Sequence, residues 1–281
     1  MLFLKTTCPL IPIRIGDVQL MSNVYAADAL KGRIVVVTGG GRGIGSGISK
    51  VVAAAGGEVV IIYPNDGERA HADKVISEIA ANGGRASAYR CDIGIRTECE
   101  SVIKEIIRDK GRIDALVNNA GICEFTPFEK ITPEIWDRHL AVNLSGPFYL
   151  SQAAIADMKP RGKGAVVNIS TVSAYRGGDR QVHYIASKGG LSSLTTALAH
   201  EIVETGIRVN AILCGGVATD INIQQRADRE RQLGKPWQER PGVRSMGLPE
   251  DLGNAVVYLI SDASEWVTGS LVSVDGGALI S

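Results

Sequence analysis

From Arg33 onward, short apolar runs rich in β-branched residues alternate with stretches in which apolar positions recur every three or four residues. The runs are Ile34 to Thr38, Glu58 to Tyr63, Ala86 to Cys91, Asp114 to Asn118, Ala165 to Ser170, Arg208 to Leu213 and Leu271 to Val274. Strands that are apolar throughout are buried on both faces, and strands spaced by helical segments are joined in parallel through crossovers. Between them, Ile48, Val51, Val52 and Ala55, then Val75, Ile76 and Ile79, then Val102, Ile103, Ile106 and Ile107 form stripes that can pack on a sheet. Longer helical patterns cover Pro133 to Met158 and Val182 to Glu204, and Pro249 opens another before Ala255, Val256 and Leu259. The pattern predicts an α/β protein with a doubly wound, seven-stranded parallel sheet (a Rossmann architecture) and helices on both faces, in one domain over residues 31–281.

Two segments depart from the alternation. Residues 1–30 begin apolar, but Lys5, Pro9, Pro12 and Arg14 interrupt the run, so they read as an N-terminal extension rather than a signal peptide. Thr219 to Met246 carries ten acidic and basic residues with Pro236, Trp237 and Pro241 and no strand signal, which points to a lid over a substrate site at about residues 219–246.

Charge and cysteine content narrow the function classes. Thirty Lys plus Arg balance thirty Asp plus Glu, so no basic field exists to gather phosphates, and nucleic acid is not an expected partner. No apolar stretch is long enough to span a membrane. Cys8, Cys91, Cys99, Cys123 and Cys214 are odd in number and contain no CxxC pair, which suits reduced thiols in the cytoplasm. His71, His139, His183 and His200 lack metal-ligand spacing, so no metal is expected.

The first strand runs straight into Gly39-Gly-Gly-Arg-Gly-Ile-Gly45, followed by a helical stripe. Glycines in a first βα turn let the backbone approach a pyrophosphate, and the following helix N-terminus attracts its charge. In that setting an acid at the tip of the second strand would bond the ribose 2′-hydroxyl of NAD. Eighteen positions after Gly45 stands Tyr63, which is not acidic, while Arg42 lies inside the turn; NADP is therefore favoured over NAD, with Asp66 leaving NAD open. Tyr184 and Lys188 stand four apart in a helical segment and so share a face, where an ammonium near a phenol would stabilise the phenolate and bring a poor base closer to neutral pH.

Taken together, Thr38-Gly-Gly-Gly-Arg-Gly-Ile-Gly45, Asn118-Asn-Ala-Gly121 and Tyr184-Ile-Ala-Ser-Lys188 resemble the cofactor turn, fourth-strand motif and YxxxK of the short-chain dehydrogenase/reductase family, over nearly all of residues 31–281. The resemblance implies that Gly39, Gly41, Arg42, Gly43, Ile44, Gly45, Tyr63, Asp92, Ile93, Asn119, Ala120 and Gly121, with Asn118, line the nucleotide site. Gly215, Val217 and Thr219 would face the nicotinamide. Tyr184 would move the proton, Lys188 would lower its pKa and bind ribose, and Asn143 would hold a relay water. The family serine falls at Thr171, and the family Pro-Gly after the sixth strand is Cys214-Gly215. A homo-oligomer, dimer or tetramer, is implied as well.

Within the family, Gly121 to Phe125, Gly177 to Tyr184 and Thr219 to Asn222 look most like sugar 1-dehydrogenases of the L-rhamnose type. Thr171, Ser173, Gln181, His183 and Asn222 are the expected substrate contacts, for a sugar or polyol. The alternatives are reduction of a 3-oxoacyl thioester or another ketone and, from a different class, a catalytically weak nucleotide-binding scaffold.

Overall fold

The computed structural model describes residues 25–219, 231 and 246–280. Seven strands form one parallel sheet: β1 Ile34–Thr38, β2 Glu58–Tyr63, β3 Arg85–Arg90, β4 Ala115–Asn118, β5 Gly164–Thr171, β6 Ile207–Cys214 and β7 Leu271–Val274, in the order β3-β2-β1-β4-β5-β6-β7. Alternation along β1 explains the two cores. Val35 and Val37 pack into a cluster with Ile48 and Val52 of α1 (Gly43–Ala54), Val75 and Ile79 of α2 (Arg69–Ala81) and residues of a C-terminal helix. Ile34 and Val36 face the other cluster, with Val102 and Ile106 of α3 (Arg96–Lys110). The sheet is thus covered on both faces, as the apolar runs require.

The pattern read as one helix over Pro133–Met158 is broken. It divides into α4 (Pro133–Leu140), a wide π turn (Ala141–Ser145) and α5 (Gly146–Met158). Apolar spacing does not register the turn because α4, at eight residues, is too short to define a phase from which α5 departs; π turns of this kind cluster at functional sites. A one-turn α6 (Ser173–Arg176) precedes α7 (Val182–Glu201), and α8 (Pro249–Ile260) carries its proline in the first turn.

Residues 25–30 belong to the packed body, ahead of the expected boundary at residue 31. Leu30 is fully buried, its N–H donates to Ala55 O at 2.8 Å, and the Tyr25 hydroxyl donates to Asn254 O at 2.8 Å. Residues 1–24 and most of the expected lid, including Asn222, lie outside the described residues.

Strand order reverses between β1 and β4, the topological switch point above which ligands bind in open α/β sheets. The carboxyl ends of β1, β2, β4, β5 and β6 open there onto one cleft of ≈ 1570 Å³.

Candidate active site

The chain leaves β1 at Thr38, whose hydroxyl oxygen accepts the N–H groups of Asn119 and Ala120 at 3.0 and 2.9 Å. The Asn119 amide donates back to Thr38 O at 2.9 Å, so the glycine turn and the β4 turn are fastened to each other across the switch point. Gly45 is obligatory: a Cβ there would stand 2.1 Å from Gly39 O. Arg42 stands at the N-cap of α1 and, having only donors, makes no side-chain cap bond to the first-turn N–H groups. Gly39, Gly41, Arg42, Gly43, Ile44 and Gly45 all line the cleft, as do Tyr63, Asp92, Ile93, Asn119, Ala120, Gly121, Gly215 and Thr219.

Two residues expected there are placed elsewhere. Asn118 is buried, and its amide donates to Asn168 Oδ1 and Ser151 Oγ at 2.8 and 3.1 Å; it ties β4 to β5 and α5. Val217 is also buried and reaches the site through its backbone bridge to Gly247 rather than as a wall residue.

At the β2 end, the acid that faces the cleft is Glu68 rather than Asp66. Glu68 lines the cleft and pairs with Arg42 at 3.2 Å, whereas Asp66 is exposed and lies outside the lining. Arg69 sits over the Tyr63 ring and donates to its hydroxyl at 3.3 Å, with Asp73 holding its other side at 2.8 Å. Asp92 takes Gly94 N–H at 2.9 Å and pairs with Arg138 at 3.0 Å.

The opposite end of the cleft holds Tyr184, Lys188 and Thr171. The Thr171 hydroxyl accepts the Ser173 N–H at 3.2 Å, and its interaction with the Tyr184 phenol favours the phenolate. Burial pushes the Tyr184 phenol well above its usual range, with the Cys214 and Cys123 thiols adding to the rise and the Thr171 hydroxyl opposing it. Burial also brings the Lys188 amine down to about 8. Of the described groups around the Tyr184 phenol, the Thr171 hydroxyl is the one that favours the phenolate. Lys188 Nζ donates to Ile169 O at 2.8 Å. Gly121 lets it approach the cleft, since a Cβ there would lie 3.2 Å from Nζ.

Asn143 sits in the π turn, fully buried behind this wall. Its Oδ1 accepts Ile122 N–H at 2.9 Å, and its amide donates to Ile122 O at 2.9 Å and Ser187 Oγ at 3.0 Å. Both amide hydrogens are thus engaged with protein, while Oδ1, which accepts one bond, keeps a second lone pair.

Among the expected substrate contacts, Ser173 and Gln181 line the cleft, and the Gln181 amide donates to Cys123 Sγ at 3.1 Å. His183 does not. It is fully buried and packs edge-on against His139, with ring centroids 4.1 Å apart at 82°. Helical phase explains this, because His183 and Tyr184 are adjacent in α7 and their side chains point about 100° apart.

The sequence reading missed Glu68, Cys123 and the Asp275–Gly277 turn as cleft residues. Glu68 lies five positions beyond Tyr63, past the window in which an acid was sought. The Asp275 turn follows an ordinary short strand, and nothing local marks it.

A glycine turn at the switch point, leading along a groove to a Tyr-Lys-Thr cluster, defines a doubly wound oxidoreductase. Residues 39–278 match the family model described as "Enoyl-(Acyl carrier protein) reductase", and the chain belongs to the short-chain dehydrogenase/reductase family. It is 38% identical over 88% of its length to an L-rhamnose 1-dehydrogenase (NAD(P)(+)) of Azotobacter vinelandii, covering 97% of that protein. It is equally 38% identical, over 87% of its length, to an acetoacetyl-CoA reductase of Rhizobium meliloti, covering 98% of that protein. A crystal structure from Beutenbergia cavernae, described as a candidate NAD(P)-dependent gluconate 5-dehydrogenase with NADP bound at low occupancy, superposes with a TM-score of 0.82 at 36% identity. The match covers 91% of this chain and 100% of that one.

Proposed function

We propose that the cleft binds NADP, or NAD, and that the enzyme oxidises a sugar or polyol at a carbon bearing a hydroxyl group. The observation that carries this reading is that Thr171, Tyr184 and Lys188 line the same groove as the glycine turn. The groove suits a dinucleotide in size, since ≈ 1570 Å³ exceeds the roughly 300–1,000 Å³ of a small-ligand pocket. It suits one in chemistry as well: bare glycine backbone faces the α1 N-terminus, and Arg42 stands where a 2′-phosphate would lie. The L-rhamnose 1-dehydrogenase relative is named for NAD(P)(+), and the solved neighbour holds NADP at low occupancy.

When bound, the nicotinamide supplies the hydride acceptor or donor. Tyr184 moves the proton at the substrate oxygen, and Thr171 bonds the same oxygen while holding the phenol in place. Lys188, anchored on Ile169 O beside Gly121, binds the ribose and becomes a lasting ammonium once anionic charge lies next to it. Asn143 acts as a positioning residue: it clamps Ile122 against α7, and its remaining carbonyl lone pair is the site for a relay water toward Lys188.

Polar groups support a polyhydroxy substrate. Glu124, Asp179 and Gln181 line the outer cleft, with Gln181 fixed by Cys123. Fully exposed Trp266 and half-exposed Phe148 and Val182 support assembly as a dimer or tetramer, which sedimentation would test. The functional test follows reduced-cofactor absorbance across aldoses, polyols and 3-oxoacyl thioesters with NAD and NADP. Turnover of aldoses is the expected result. Thioesters turned over in preference to every sugar would move the assignment to ketone reduction.

A further inference from the structure

We infer that Glu68 sets the balance between a 2′-hydroxyl and a 2′-phosphate at the adenosine end of the cleft, by acting as a built-in competitor of the phosphate for Arg42. The inference rests on the dinucleotide reading of the groove.

The tip of β2 offers no carboxylate, because Tyr63 stands there and its hydroxyl is taken by Arg69. Arg69 is itself committed to Asp73 at 2.8 Å, so it is not a loose cation for a phosphate. Arg42 is the guanidinium on the wall at this end, and Glu68 Oε1 already lies 3.2 Å from its Nη1. Formally the pair carries no net charge.

A 2′-phosphate carries close to two negative charges near neutral pH. To reach Arg42 it must displace the Glu68 carboxylate, which stays close by because its backbone is fixed in the one-turn helix Asp66–Glu68. The carboxylate then repels the phosphate it has made room for. A 2′-hydroxyl meets neither obstacle: it is neutral, and it can donate to Glu68 while the ion pair stays intact. Glu68 thus replaces, from five residues further along the chain, the acid missing from the strand tip. It penalises NADP and welcomes NAD, so both remain usable despite Arg42.

The test is equilibrium binding, with no turnover required. Wild type, Glu68→Gln, Arg42→Gln and Asp66→Asn are titrated with NADP⁺ and with NAD⁺ by calorimetry. The Arg42 side chain is 53% exposed and that of Glu68 23%, so these variants are expected to fold, and thermal melts check this. Glu68→Gln should tighten NADP⁺ roughly two- to fivefold, the scale of one partly exposed charge pair, and leave NAD⁺ unchanged or weaker. Arg42→Gln should weaken NADP⁺ and spare NAD⁺, while Asp66→Asn leaves the ratio of the two dissociation constants within about twofold. An unchanged ratio in Glu68→Gln overturns the inference while leaving the dinucleotide reading intact. A large shift in Asp66→Asn instead gives the role to Asp66 and also overturns it. Failure of wild type to bind either nucleotide removes the dinucleotide reading, and the inference falls with it.

Discussion

Thr171 and Cys214 are register partners in the last rung of β5 and β6, and each replaces the residue that the family pattern places there. Val172 N–H donates to Cys214 O at 3.1 Å, and the Cys214 thiol donates across to Ser170 O at 3.0 Å. The strand end that presents the Thr171 hydroxyl to Tyr184 is therefore held from the Cys214 side. A threonine at the end of a strand has a stiffer χ1 than serine, and its neighbour fills the space beside it with a small buried thiol.

The first prediction concerns that pair. Thr171→Val keeps the shape and removes the hydroxyl, so kcat/KM should fall about 100-fold or more, as for loss of one donor aimed at reacting oxygen. Thr171→Ser should stay within about fivefold, because it keeps the donor and loses only a methyl. Combining Thr171→Ser with Cys214→Ala should not be additive, since contacting residues couple by roughly 0.5 kcal/mol or more. Steady-state kinetics of the four proteins read this directly, and Thr171→Val with wild-type turnover would exclude a role for the hydroxyl.

Lys188 should cost the protein stability. Its amine is brought down by burial to about 8 from 10.5, so the unfolded chain binds a proton that the folded chain gives up between those values. Stability rises with pH across that window, and the full penalty is in force below about pH 8. That penalty is on the order of 3 kcal/mol, less about 1 kcal/mol for the bond to Ile169 O. Lys188→Met should therefore be more stable than wild type by roughly 2 kcal/mol at pH 7, with an advantage that shrinks from pH 8 toward pH 10. Urea denaturation at a series of pH values checks the sign. A variant less stable at pH 7 would show that the ammonium is stabilised where it sits.

The buried His183 ring makes a separate prediction. Among the described residues neither ring nitrogen is within hydrogen-bond distance of a partner, and burial followed by the coulombic influence of His139 lowers its pKa, with Glu124 opposing. His139 is itself tied down, with Nδ1 2.7 Å from Ile135 O and Nε2 accepting Glu124 N–H at 3.3 Å. The contribution of a neutral His183 is present above its ordinary pKa of 6.5 and is lost as pH falls through the lowered folded value. His183→Phe, which puts no polar atom in that space, should lose less stability than wild type between pH 7 and pH 5. Parallel melts at the two pH values would contradict this.

Much of this site was legible before any coordinates. The seven strands and their doubly wound order follow from apolar runs too continuous for one-sided burial, and the glycine turn, Tyr184 and Lys188 follow from short-range spacing. What escaped depends on position in space. The eight residues of α4 are too few to fix a helical phase, so the shift at the π turn Ala141–Ser145 goes unread and α4 and α5 read as one helix. His183 and Gln181 are two residues apart in the same polar stretch, yet one is buried against His139 and the other lines the cleft; only the start of α7 at Val182 decides which. Glu68 became visible as a cleft residue once the chain after β2 was seen to turn back over Arg42. The desolvation of Lys188 escaped as well, because its sequence distance to Tyr184 carries no information about burial.

The central claim is that the Tyr184 phenol carries the substrate proton in a cleft that binds nucleotide without needing it. Tyr184→Phe isolates that oxygen, and the measurement pairs single-turnover cofactor reduction with the dissociation constant for NADP⁺ on the same protein. The account predicts nucleotide affinity within about threefold of wild type and a chemical step slowed by about 100-fold or more. Cofactor reduction at the wild-type rate in Tyr184→Phe, with nucleotide bound, would contradict it.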